Sequence, residues 1–380
     1  MRFRDAGLGA AAVCAAAVLG ELGVRVDASL DEGFGRQLVA LDPLSARIEP
    51  VGELGYRQRA NSRYQVSNGT VATSNAMGFR GPVVSVPKPP GTFRIVLLGE
   101  STTHGWGVND DATIDAYMRR LLAERYPARR FEVVNLAFDG YDAYEQYERL
   151  RSDGLPLKPD LLIVNAGIND VRNARFPDLK DRDPRTILYA DLLAIQREVA
   201  QHGPTAWSWI KHYSYLARLP GMARSRLVTT HTTGTNRRAT PNPQAIEFFA
   251  LNLRRIADLV GSRATPILFS TPPSSLRTRY APNDTSARSY WIVDAETTQS
   301  YRDSLAQRMR QVSLQLQQEG RPAAYVQHRL PPELFLDDCH LTAEGNRQMA
   351  TDFVAAAQAW LGTGDATPAA RPRRAAWPPH

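Results

Sequence analysis

From residue 94 onward the chain alternates short, unbroken apolar runs with longer amphipathic segments, and this alternation leaves few folds open. The first run is Arg94-Ile-Val-Leu-Leu-Gly99, ending in a glycine. It lacks the every-other-residue polarity of a half-exposed strand, so it reads as a strand buried on both faces. Comparable runs occupy residues 131–137, 160–167, 264–271 and 323–328. Between them the period changes to that of a helix. Over residues 111–126, Ile114, Tyr117, Met118, Leu121 and Leu122 fall on one face, and further helices are expected near 244–260, 295–319 and 343–361. Strands alternating with helices predict an α/β fold, a parallel sheet covered on both faces with right-handed crossovers. In such sheets chemistry collects beyond the carboxyl ends of the strands.

The remaining segments divide the chain. Residues 1–28 begin with Arg2 and Arg4 and continue as nineteen mainly apolar residues, 6–24, broken only by Glu21. A basic flank before an apolar run is the pattern of a signal peptide or membrane anchor. Val26-Asp27-Ala28 is a passable cleavage site. This places the rest of the chain in the cell envelope, outside the cytoplasm, with the inner membrane as a partner. Residues 29–90 form a turn-rich extension in which Asn68-Gly69 suggests a two-residue hairpin turn. The main domain covers 91–361, with a long insertion at about 172–243, and the Pro/Arg/Ala-rich residues 362–380 read as a disordered tail.

Composition excludes more than it proposes. The net charge is +7, yet only four of the 46 basic residues are lysines, and no basic stripe with interleaved aromatics is present. Nucleic acid is therefore not an expected partner. Cys14 and Cys339 lie too far apart in sequence and context to suggest a disulfide framework. No His-Glu-x-x-His pattern or phosphate loop occurs, so neither metal nor cofactor is expected.

Four short segments sit where strands end. Gly99-Glu100-Ser101-Thr102 places a serine on a strand-to-helix turn, where its hydroxyl is either an exposed nucleophile or a helix cap. Among seven histidines, His340 has Asp337 three residues before it, close enough to fix its tautomer and leave Nε2 free to take a proton. His104 shares the serine's turn but has no evident orienting carboxylate, and His328 closes a strand, where packing or a hydrogen bond accounts for it. Asn169, after the third strand, can point its amide at a developing oxyanion or simply open an Asx turn. Gly140, after the second strand, offers a backbone N–H or is only a turn glycine.

Taken together, Ser101, Gly140, Asn169 and the Asp337/His340 pair resemble the four sequence blocks of the SGNH (GDSL-like) hydrolase superfamily. The likeness covers about residues 94–170 and 330–361, with a looser match at Asn75-Ala-Met-Gly-Phe-Arg-Gly81 to membrane-anchored bacterial members. It implies a three-layer α/β/α sandwich with a five-stranded parallel sheet and a serine esterase acting on a carboxylic ester. Ser101 is then the nucleophile and Asp337 and His340 complete the triad. The amides of Ser101 and Gly140 and the Asn169 side chain form the oxyanion hole. Two departures stand out: Glu100 replaces a common aspartate, and Ala137 a common glycine. Substrates implied by the resemblance are small acyl esters, acylated glycans or lipids. The alternatives are an acyltransferase passing acetyl to a polysaccharide on the same triad, and a non-catalytic glycan-binding module. Within the insertion, Trp209 and Tyr213 share one helical face and are expected to line the substrate entrance.

Overall fold

A computed structural model describes residues 2–30, 42, 47–52, 54–65, 69–176, 197–199, 201–223, 241–261, 264–282 and 294–362, with 2–12 as backbone only. Residues 224–240 of the insertion and the tail beyond 362 lie outside the described residues. Helix α1 (Arg2–Leu30) contains the apolar N-terminal run. Two antiparallel hairpins follow, β1 (Ile48–Val51) with β2 (Gly55–Gln58), and β3 (Arg63–Gln65) with β4 (Val71–Thr73). The second corrects the turn expected at Asn68-Gly69. Gln65 pairs with Val71, an odd register that leaves five residues between them and excludes a two-residue turn. Gly69 sits at φ +84°, in the left-handed region that favours glycine, while Asn68 lies outside the described residues.

The main domain runs β5 (Thr92–Gly99), α2 (Ser101–His104), α3 (Ile114–Arg125), β6 (Arg130–Asn135), α4 (Ala143–Arg149) and β7 (Leu161–Asn165). After the insertion, which holds α5 (Ala206–Tyr213), come α6 (Gln244–Gly261), β8 (Ile267–Thr271), α7 (Leu276–Arg279), α8 (Ala295–Gln318), β9 (Ala323–Gln327) and α9 (Ala343–Ala356). The five strands β5 to β9 form one parallel sheet in the order β6-β5-β7-β8-β9. The expected α/β/α sandwich is therefore present, and its strands fall within a few residues of the apolar runs that predict them.

Why the runs are unbroken is visible in β5. Val96 and Leu98 pack into the layer of α4, α6 and α8, with Phe249, Leu253 and Leu305. Ile95 and Leu97 point the other way, into the layer of α3 and α9, with Met118, Met349 and Phe353. All four strand residues are fully buried, and each contributes roughly 1.5–3 kcal/mol by leaving water. The chain leaves β5 toward β6 on one side, then crosses to β7 on the other. The crevice at this switch point is where a doubly wound sheet accepts a ligand.

The extension is not a separate body. Ile48, Leu54 and Tyr56 share a buried cluster with Phe138 and Tyr141, and the Tyr56 and Tyr141 hydroxyls each donate to a carbonyl across this junction. Among the described residues no helix is long and apolar enough to cross a membrane.

Candidate active site

The turn from β5 into α2 carries the serine. Gly99 is required there: a Cβ at this position would lie 2.2 Å from Thr103 Oγ1. Asn135, at the end of β6, donates to the Thr103 carbonyl at 2.9 Å, and Asn165, at the end of β7, donates to Thr103 Oγ1 at 2.9 Å. From the extension, the buried Arg80 guanidinium donates to the His104 carbonyl at 2.9 Å and to that of Val108 at 2.7 Å, and pairs with Asp110. The Gly-Phe-Arg-Gly segment thus clamps the turn that presents Ser101.

On the opposite wall, residues 335–341 form a tight loop before α9, closed by the Leu336 N–H donating to the His340 carbonyl at 2.8 Å. His340 Nε2 lies 2.8 Å from Ser101 Oγ, and Nδ1 lies 2.8 Å from Asp337 Oδ2. The other carboxylate oxygen of Asp337 accepts the backbone N–H groups of Cys339 and His340. Burial pushes this carboxyl up, but the hydrogen bond and charge of His340 and the two amides outweigh it and hold the group well below the usual range. An ionised Asp337 keeps the proton on Nδ1, so Nε2 presents a lone pair to the serine hydroxyl. Asp337, Cys339 and His340 also bring three potential ligand atoms within 4.8 Å, though both ring nitrogens are already engaged in this chain of hydrogen bonds.

Asn169 stands one residue past Ile168, at the start of a 3-10 turn beyond β7. Its Nδ2 donates to the Tyr141 carbonyl at 3.0 Å, which ties it to the loop bearing Gly140 and leaves the amide's second hydrogen available. Gly140 adopts φ +81°, and its carbonyl accepts from Arg172 at 2.6 Å, so its peptide is fixed in orientation. The structure therefore gathers the carboxyl ends of β5, β6 and β7 with the loop before α9.

Trp209 and Tyr213, expected at the substrate entrance, belong to the insertion. They lie on α5, 46% and 68% exposed, with described ring contacts to each other and to His212 rather than to the triad. His104 differs from the reading that it lacks a carboxylate. It is buried with Nδ1 3.1 Å from Asp139 and Nε2 3.1 Å from Gln58. Burial and the nearby Arg80, Arg47 and Arg149 push its pKa well below the ordinary value, so it is a neutral structural group. His328 is buried with Nδ1 2.8 Å from Asp352, as its position at a strand end suggests.

Two residues of the site escape sequence reasoning. Glu100, fully buried, accepts the N–H groups of Gly167 at 2.6 Å, Ile168 at 2.9 Å and Asn169 at 2.8 Å. Burial drives its pKa up to about 7 against these three amides and Arg172, which pull it down. Trp106 packs on the His340 ring, 4.3 Å between centroids. The only sequence signal for either is proximity to Ser101.

The alignment of residues 97–348 with the GDSL-like Lipase/Acylhydrolase family agrees with this geometry, and the chain belongs to that family. Its structure is similar to an acetyl-xylooligosaccharide esterase from Geobacillus stearothermophilus, at 16% identity and TM-score 0.40, covering 71% of this chain and 94% of that one. It is also similar to a GDSL-like lipase from Bacteroides thetaiotaomicron, at 13% identity and TM-score 0.36, covering 70% and 88%. No curated protein matches the sequence.

Proposed function

We propose that the protein is a carboxylic ester hydrolase working through an acyl-enzyme on Ser101, with acylated glycans as substrates. The observation that carries this reading is the continuous hydrogen-bonded chain from Ser101 through His340 to Asp337. Ser101 Oγ attacks the acyl carbon while His340 Nε2 takes its proton, and Asp337 stabilises the imidazolium. Negative charge grows on the carbonyl oxygen, where the Asn169 amide and the backbone N–H groups of Ser101 and Gly140 receive it. Collapse breaks the ester C–O bond, and His340 returns the proton to the leaving alcohol. Water, activated by the same histidine, then releases the acid and frees Ser101.

The glycan assignment rests on a cavity of about 510 Å³ that meets this site at the turn before Asn169 and is lined by none of Ser101, Asp337 or His340. One wall is Gly167 and Ile168, the turn held by Glu100, and the others include Ser274, Gln299, Arg302 and Asp303. Such a lining suits a polyhydroxylated leaving group better than a long acyl chain. The basic residues Arg2 and Arg4 before the apolar part of α1 support a tether at the cytoplasmic membrane with the hydrolase outside the cytoplasm.

The test is acid release by the purified protein from p-nitrophenyl esters of graded chain length and from acetylated xylo-oligosaccharides. Hydrolysis that favours short acyl groups, and acetylated glycans over lipid esters, is expected. A folded protein that hydrolyses none of them and resists fluorophosphonate labelling overturns the proposal.

A further inference from the structure

Fifteen large hydrophobic residues are exposed among those described, and ten of them lie on just two elements, α1 and α5. On α5 they are Trp207, Trp209, Ile210 and Tyr213, each between 46% and 68% exposed. At about 100° per residue these four side chains occupy an arc of roughly 160°. That arc faces outward, while Ser208 is buried and His212 turns to Asp42 at 3.0 Å. A helix on a water-facing surface shows the opposite arrangement, with its apolar stripe turned inward. Lys211 borders the arc, with its ammonium 5.6 Å from the Trp207 ring centroid. Aromatic rings beside a basic residue are the composition of helices that lie in a membrane interface.

Helix α5 and the turn after it are fastened to α1 at Gly20, Glu21 and Arg25, before that helix ends at Leu30. The Glu21 carboxylate accepts the Ser214 hydroxyl at 2.7 Å and the N–H groups of Tyr215 and Leu216 at 2.9 Å each. Arg25 donates to the Tyr213 carbonyl at 2.6 Å and lies 4.5 Å over the Tyr215 ring. Gly20 lets Leu216 approach so closely that a Cβ there would stand 3.2 Å from its Cδ2. Glu21, the one charge inside the apolar run, therefore marks where α1 meets the insertion. Before it, residues 6–20 make about 22 Å of helix, less than the ~30 Å of a bilayer's hydrocarbon core.

We propose that α5 is a second membrane element, lying in the headgroup layer of an anionic bilayer beside Glu21 and Arg25 of α1, with Trp207, Trp209, Ile210 and Tyr213 toward the acyl chains. The proposal rests on the membrane association of α1 proposed above and extends it to the insertion. The positive net charge, with Lys211 and Arg25 at this junction, complements anionic headgroups. The hydrolase domain is then held at the membrane by two contacts rather than swinging on one.

The test uses the full chain reconstituted in phosphatidylcholine–phosphatidylglycerol vesicles containing acyl-brominated lipid. Flotation with the vesicles reads the α1 tether, and bromolipid quenching of tryptophan fluorescence reads α5. The wild type is expected to float and be quenched. The double variant Trp207→Phe, Trp209→Phe is expected to float, keep its melting temperature and lose most of the quenching. Equal quenching of the two floating proteins overturns the role of α5 and leaves the tether standing, whereas failure to float overturns both. A wild type that floats unquenched but sediments as a dimer, and becomes monomeric on Ile210→Ser with Tyr213→Ser, shows instead that the face meets a second copy, and also overturns the proposal. Neither result depends on whether esters are hydrolysed.

Discussion

Glu100 and Asn169 stand 69 positions apart, yet the Glu100 carboxylate accepts the Asn169 backbone N–H at 2.8 Å. With the Gly167 and Ile168 amides on its other oxygen, this one buried side chain fixes the turn bearing Asn169 relative to the serine beside it. Glu100 acts through those residues, as a positioning group. Glu100→Ala orphans the buried N–H groups of Gly167 and Ile168, each costing about 1–3 kcal/mol unless water enters, and the half-buried one of Asn169. It should lower the melting temperature and also reduce kcat by roughly 10- to 100-fold through a loosened oxyanion site. Glu100→Asp should recover part of both losses. Normal kcat in a folded but less stable Glu100→Ala protein shows that the contact only stabilises the fold.

Removing the serine or its partner should be more severe. Ser101→Ala and His340→Ala are each expected to lower kcat on the order of 10⁴-fold or more while the protein stays folded. Steady-state turnover with circular dichroism as the control decides it. Near-normal turnover in folded Ser101→Ala contradicts the proposed chemistry.

Asn169→Ala should reduce kcat by about 10²–10³-fold with little change in KM, since an oxyanion donor acts mainly in the transition state. Its hydrogen bond to the Tyr141 carbonyl would also be lost. A rise in KM alone identifies Asn169 as a ground-state binding residue.

Trp106 lies against the imidazole that, in the proposed mechanism, becomes cationic during attack. An indole face stabilises such a cation by about 0.5–2 kcal/mol, so Trp106→Ala should cut kcat/KM by roughly 2- to 30-fold. Trp106→Phe should restore most of the loss. An unchanged kcat/KM in a folded Trp106→Ala protein means that the ring merely fills space.

The parts of this molecule legible in its sequence are those set by local pattern. The parallel sheet follows from runs such as Ile95–Leu98, whose neighbours alternate between two apolar layers and so cannot include a polar residue. The Asp337/His340 pair follows from a three-residue spacing that a tight loop can close. Glu100 was not legible because its meaning lies in amides 67 to 69 residues away. Asp139 was not recognised as the partner of His104 for the same reason: the pair forms only when β6 docks beside β5. The expectation for Trp209 and Tyr213 correctly groups them on one helical face, but period alone does not say what a face meets. Here the insertion docks on α1, through contacts of Glu21 and Arg25 that no local pattern announces.

The buried carboxyls give the stability an unusual slope with pH. Glu100 is raised to about 7 by burial, and the buried Asp170 beside it is raised well above its ordinary value, first by burial and then by the charges of Asp142 and Glu100. In the unfolded chain both groups titrate near their ordinary values of about 4. Between there and about pH 7 the folded state therefore binds more protons than the unfolded one. Their contribution is fully present below the ordinary values and is lost as pH rises through the folded ones. Each pH unit in this window costs up to about 1.4 kcal/mol per group. Asp337, held well below the usual range, contributes with the opposite sign, but its contribution is lost only as pH falls below about 4. The unfolding free energy should thus fall between about pH 4 and pH 7. Asp170→Asn keeps an oxygen to accept the Ala143 N–H, now bonded at 3.1 Å, while removing one charge from the cluster. It also lowers the cost of ionising Glu100, so the fall should become clearly shallower. Urea unfolding of both proteins across this range measures it, and parallel profiles would show that the slope arises elsewhere.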